Sequence, residues 1–131
     1  MNGNRKDLAL WLLRIGFGGL MLVHGLPKLA SVFRGEWAFA NPIGIGEEAS
    51  LFLTVFAEFV CSIFVILGLF TRWACIPLII TMLVAVFIIH GGDPLSDKEL
   101  ALIYLIGFTA IFISGPGKYS LDARIKTSST V

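Results

Sequence analysis

Within "SLFLTVFAEFVCSIFVILGLF", residues Ser50 to Phe70, a single carboxylate, Glu58, stands near the middle of an otherwise apolar run. A second ionisable residue, Arg14, interrupts another apolar run. A charged side chain inside such a run costs at least ~2.5–3.5 kcal/mol on membrane-insertion scales, so each needs a partner or a function. Three roles fit Glu58. It can be a structural anchor paired with Arg14, a silent protonated acid, or a proton-accepting or ligand-binding group in a cavity. Thr54 and Ser62, four residues to either side, share its helical face. His24, Lys28, His90, Glu99 and Tyr104 cluster near one set of apolar-run ends. Imidazoles beside a carboxylate are tools for proton transfer. This pattern makes Glu58, His24 and His90 the candidate catalytic residues. Arg14, Gly18, Lys28, Met82, Glu99 and Tyr104 are the candidate ligand-binding set.

The elements that would position these groups follow from composition. The chain has 131 residues, of which 56% are hydrophobic and 15% charged, and its mean hydropathy is +0.88. A soluble domain of this size has too little interior to hide that much apolar surface. The solvent for most of the chain is therefore lipid. Net charge is +1 and no basic patch exists beyond short flanking clusters, so no nucleic-acid partner is expected. Four apolar stretches, about 8–26, 49–70, 73–90 and 99–115, read as membrane helices, the fourth being short for a span. "TRW" and "HGGDPLSDKE" are brief links that demand antiparallel neighbours. The expected fold is all-α, an integral membrane antiparallel four-helix bundle in a single domain over 1–131. A long outer loop joins helices 1 and 2, and 116–131 forms a cytoplasmic tail whose end, "KTSSTV", reads as disordered. In the first half of that loop Leu29, Val32, Phe33 and Trp37 recur at near-helical spacing, so it is expected to lie along the membrane surface. Although "NRKD" imitates the start of a signal peptide, Arg14 and the poor cleavage site predict that the first span is retained.

With the N-terminus inside, Arg5, Lys6, Arg72, Lys118, Arg124 and Lys126 are cytoplasmic, against Lys28, Arg34 and Lys98 outside. That excess places both termini of a multi-pass membrane protein in the cytoplasm. Counting from the outer surface puts Glu58 about 12 Å down, level with Gly18, Met82 and Gly107, with Arg14 about 6 Å deeper. Two glycines and a thioether beside a carboxylate leave either close helix contact or a pocket open to the outer face. Arg14, Gly18, Met21 and Gly25 share one face of the first helix, and helix packing is the commoner use of such glycines. Cys61 and Cys75 differ in depth by roughly 10 Å, too far for a disulfide, and read as small apolar residues. His24 and His90 lie at similar heights. Paired histidines can hold haem, although hydrogen bonding at the interface is their commoner use, and no third ligand supports a metal site.

"LLRIGFGGLMLVHGLPKL", "FAEFVCSIFVILGLFTR", "TMLVAVFIIHGGD", "ELALIYLIGF" and "GPGKYSLD" occur in this order. Together they closely resemble the bacterial DoxX family from about Leu10 to Asp122. The resemblance implies a four-helix membrane protein with recurrent polar positions at Arg14, His24, Lys28, Glu58, Arg72, His90, Glu99 and Tyr104. It also links the chain to quinone-dependent oxidoreductases of the membrane and to redox stress, with a quinone as the implied ligand and a redox protein as partner. Other relatives resemble assembly factors. Two functions are therefore carried forward. One is a quinone-associated redox component, such as a subunit of an oxidoreductase. The other is a non-enzymatic assembly factor that binds a lipid or a partner helix. The lipid bilayer is a partner in both, and assembly with further copies of the chain stays open.

Overall fold

The computed structural model describes residues 3–129, with side chains as far as residue 126. Its elements are α1 (Gly3–Phe33), α2 (Glu47–Leu67), α3 (Thr71–Ile89), α4 (Leu95–Ser114) and α5 (Leu121–Ser129). The described residues contain no strand. α1, α2 and α3 are long and apolar enough to cross a membrane. α4 has 20 residues, but Asp97, Lys98 and Glu99 occupy its start and leave a shorter apolar stretch behind them.

The first helix is longer than its sequence suggested. α1 runs 31 residues, straight through Pro27 to Phe33. Proline removes one N–H from the helical ladder, but the apolar periodicity continues through Leu29, Val32 and Phe33, so the helix persists. It ends at Gly35, whose φ of +74° suits glycine. Residues 27–33 are therefore helical in line with the first span rather than a separate segment on the membrane surface, and the connection shrinks to 34–46. At ~1.5 Å per residue α1 is about 46 Å long, well over the ~30 Å hydrocarbon thickness.

α2 and α3 both contain a π-turn, Phe56–Cys61 and Ala85–Ile89. Such turns concentrate at functional sites, and Glu58 sits inside the first. Between α2 and α3 the chain reverses at Gly68 (φ +71°) and Phe70 (φ +47°). The N–H groups that start α3, which have no partner within the helix, are capped from far along the chain. Asp122 accepts from the Phe70 and Thr71 amides at 2.7 and 2.9 Å and from the Thr71 hydroxyl at 2.8 Å. Its own amide donates to the Gly68 carbonyl at 2.9 Å. The segment after α4 is thus folded back onto the bundle. Lys126 to Ser129, expected to be disordered, complete α5, while Thr130 and Val131 lie outside the described residues.

The interior is built from α1 to α4, with Met21, Cys61, Val65, Cys75, Leu78, Tyr104, Phe108 and Ile111 all buried. Both cysteines are free. Large apolar groups also cover the outside. Trp73, Phe87, Ile106 and Ile113 are each 68–75% exposed, as lipid-facing side chains should be. Lipid tails are as apolar as these side chains, so helix association depends on close contact more than on hydrophobic expulsion. Small residues supply that contact. A Cβ at Gly25 would lie 2.5 Å from the Glu58 carbonyl oxygen, and one at Gly18 would lie 2.8 Å from Ile66 Cγ1 and 3.2 Å from the Ser62 carbonyl oxygen. Gly107 receives the ring of Phe17.

Candidate functional site

Two polar layers lie at opposite ends of the helices. At the end that carries α5, Arg14 is 1% exposed. One guanidinium nitrogen donates to the carbonyls of Val65 (3.3 Å) and Ile66 (3.0 Å), and the other donates to the carbonyl of Tyr119. The last carbonyls of a helix have no partner within it, so Arg14 closes the C-terminal turn of α2 and pins the chain leading into α5. Nearby, Arg72 bonds the Phe112 carbonyl at 3.1 Å, and Asp7 accepts from the Lys118 amide at 3.0 Å. This layer holds the helices together.

The second layer surrounds a cavity of about 450 Å³ at the opposite end. Glu58, only 4% exposed, is on its wall. Its carboxylate is paired with Lys28 at 2.6 Å, and Arg14 plays no part. The expected coupling of Arg14 to Glu58 is therefore corrected. Side chains lean toward the N-terminus of their own helix. On antiparallel α1 and α2 that lean carries Lys28 and Glu58 toward each other and carries Arg14 away.

The depth estimate shifts as well. Gly25, and not Gly18, lies against the backbone of Glu58. Gly18 and Gly107 are filled by neighbouring atoms and do not line the cavity. The seven-residue error arises because α1 continues beyond the point where the sequence placed its outer end. Of the other expected residues, Met82, His24, His90 and Tyr104 line the cavity. Tyr104 is buried, stacked on Phe108 and touched edge-on by the exposed His24 ring, 5.8 Å between centroids. His90 Nδ1 is 2.9 Å from Asp93 Oδ2. Glu99 is exposed and off the cavity, and Asp97 lines it instead.

Sequence reasoning named Thr54 but missed Ser50 and several other lining groups. Ser50 and Thr54 stand one turn apart above Glu58, and the Thr54 hydroxyl donates to the Ser50 carbonyl at 2.7 Å. The i, i+4, i+8 spacing of Ser50, Thr54 and Glu58 carried this signal; Ser62, the residue chosen to extend the stripe, is buried outside the cavity. Phe39, Pro42 and Ile45 from 34–46 cover one side, which no periodicity could have foretold. Among the described residues no three His, Cys, Asp or Glu side chains are grouped as a metal site would require. Chemically, the cavity offers mainly apolar walls, one internally neutralised ion pair and several groups able to exchange protons.

An uncharacterized protein of Haemophilus influenzae is 33% identical over 123 residues, covering 86% of this chain and 87% of that protein. An uncharacterized membrane protein of Mycobacterium tuberculosis is 33% identical over 103 residues, covering 66% of this chain and 63% of the relative. No solved structure matches. The family model named DoxX matches residues 9–91, which include both Lys28 and Glu58, and the chain belongs to the DoxX family.

Proposed function

We propose that this chain is a multi-pass protein of the bacterial inner membrane in which α4 supplies a fourth span, completing a single antiparallel four-helix domain with both termini cytoplasmic. The excess of basic residues at the end carrying α5 supports that orientation. A reporter fused after Val131 should score cytoplasmic, and a periplasmic signal would overturn the orientation.

Within that frame the cavity binds the head group of a quinone, and the protein serves as a quinone-associated redox component. The observation that carries this reading is the Lys28–Glu58 pair on the wall of a largely apolar cavity. Its volume falls in the ~300–1,000 Å³ range of small-molecule sites. A phospholipid phosphate would need a free cation, whereas Lys28 is already engaged by a carboxylate and Asp97 adds a further negative charge. A neutral ring with polar edges meets no such penalty. Quinone reduction takes up two electrons and two protons, and quinol oxidation releases them. Glu58, His24 and His90 would hold and pass the protons, with Tyr104 and Met82 contacting the ring, while a redox partner protein exchanges the electrons. Arg14, Gly18 and Gly107 are assigned to helix packing in this reading.

The test is extraction of the protein purified in lipid nanodiscs, followed by titration with a short-chain benzoquinone. Quinone should co-purify, and Glu58→Gln should weaken binding by roughly tenfold, the scale of a lost hydrogen bond to a charged group. Extracts holding phospholipid alone, with no saturable quinone binding, would favour the non-enzymatic lipid-binding assembly factor.

A further inference from the structure

Ser50 is buried to 5% exposure on the cavity wall, and among the described residues its hydroxyl has no hydrogen-bond partner. A buried hydroxyl left unpaired is costly, by about 1–3 kcal/mol. The backbone of Ser50 is satisfied, its amide donating to Gly46 at 3.0 Å and its carbonyl accepting from Thr54. The side chain alone is unspent. Ser50 lies eight residues above Glu58 on the same helix, about 12 Å at the standard rise. Glutamate is the longer side chain and leans toward Ser50, which narrows the gap between their oxygens to on the order of 10 Å.

We propose that Ser50 is a second anchor for the ligand and sets its specificity. The site then selects a flat ring with oxygens at opposite (para) positions, one held at the Lys28–Glu58 pair and the other by the Ser50 hydroxyl. Two hydrogen bonds of ~2.8 Å, two C=O bonds of ~1.2 Å and the width of one six-membered ring bridge a separation of this size. This inference rests on the quinone reading above and names the feature by which a quinone is told apart from other amphiphiles. Ser50 donates to a quinone carbonyl and accepts from a quinol hydroxyl, so both redox forms are held.

The experiment uses the full chain in nanodiscs and two ligands with the same decyl tail, a para-benzoquinone and a phenol with one ring oxygen. The parent protein should bind the benzoquinone several-fold more tightly than the phenol. Ser50→Ala should weaken benzoquinone binding by roughly 3–10-fold and leave phenol binding unchanged, erasing the preference. Ser50→Thr keeps a hydroxyl and should retain it. Because the hydroxyl has no partner to lose, ligand-free Ser50→Ala should unfold at the parent temperature or above. Parent-like benzoquinone binding by Ser50→Ala, with Glu58→Gln still impaired, would overturn the anchor and leave the site standing. A marked fall in the unfolding temperature of ligand-free Ser50→Ala would also overturn it, by showing the hydroxyl to be structurally bonded. No binding of either ligand by the parent would remove the anchor and the quinone reading together.

Discussion

Arg14→Met will be the most damaging single substitution in the chain, lowering stability by about 3–5 kcal/mol. Arg14 is 1% exposed and serves carbonyls on two separate segments, Val65 and Ile66 at the end of α2 and Tyr119 ahead of α5. Hydrogen bonds to a charged group contribute about 1.5–3 kcal/mol each, and the Ile66 and Tyr119 carbonyls would lose that donor, while Val65 keeps the Gly68 amide. Methionine fills much of the volume and relieves a buried charge, which holds the net loss below the plain sum. The damage should extend to the cap on α3, because Tyr119 precedes Asp122 by three residues and the Asp122 carboxylate bonds the Phe70 and Thr71 amides. Limited trypsinolysis should therefore cut sooner at Lys118 and Arg124 in the variant than in the parent. Arg14→Lys should recover only part of the loss, since a compact ammonium cannot span both segments as a guanidinium does. Unfolding in mixed micelles within 1 kcal/mol of the parent would show that these bonds contribute little.

The second large effect concerns the ion pair. Lys28→Met leaves the Glu58 carboxylate buried without its cation and should cost about 2–3 kcal/mol. Fully buried pairs lose ~3–5 kcal/mol when one partner is removed, and the figure is reduced here because the Lys28 side chain remains 30% exposed. Adding Glu58→Gln removes the stranded charge, so the double variant should be more stable than Lys28→Met alone. Arg14→Met combined with Glu58→Gln should instead be additive, because the two residues serve different ends of the helices. A double-mutant cycle on Lys28 and Glu58 that closes with no interaction energy would show that the pair is not energetically coupled. Both Lys28→Met and the double variant should lose benzoquinone binding, which separates stability from ligand recognition: only stability is restored by the second change.

Much of the chain's character was readable before any helix was placed. Apolar runs around Leu8–Leu26, Ala49–Phe70 and Trp73–Ile89 specified membrane helices, because no interior of this size could bury them. The cost of a carboxylate in such a run meant that Glu58 needed a partner. His24, Lys28, His90 and Tyr104 were legible as one polar cluster because each lies near the same end of its apolar run. Tertiary structure decided which residues meet. Whether Arg14 or Lys28 reached Glu58 depended on the relative height of two antiparallel helices, and α1 persisted beyond Pro27 to Phe33, shifting that height by two turns. The same shift set Gly25, in place of Gly18, against the backbone of Glu58. The cap from Asp122 and the wall formed by 34–46 join residues far apart in sequence, and no local periodicity encodes such pairings. Period and polarity are properties of one helix, legible along one chain. Register between helices arises from where backbones can approach and which way side chains lean, and these exist only once the helices are assembled.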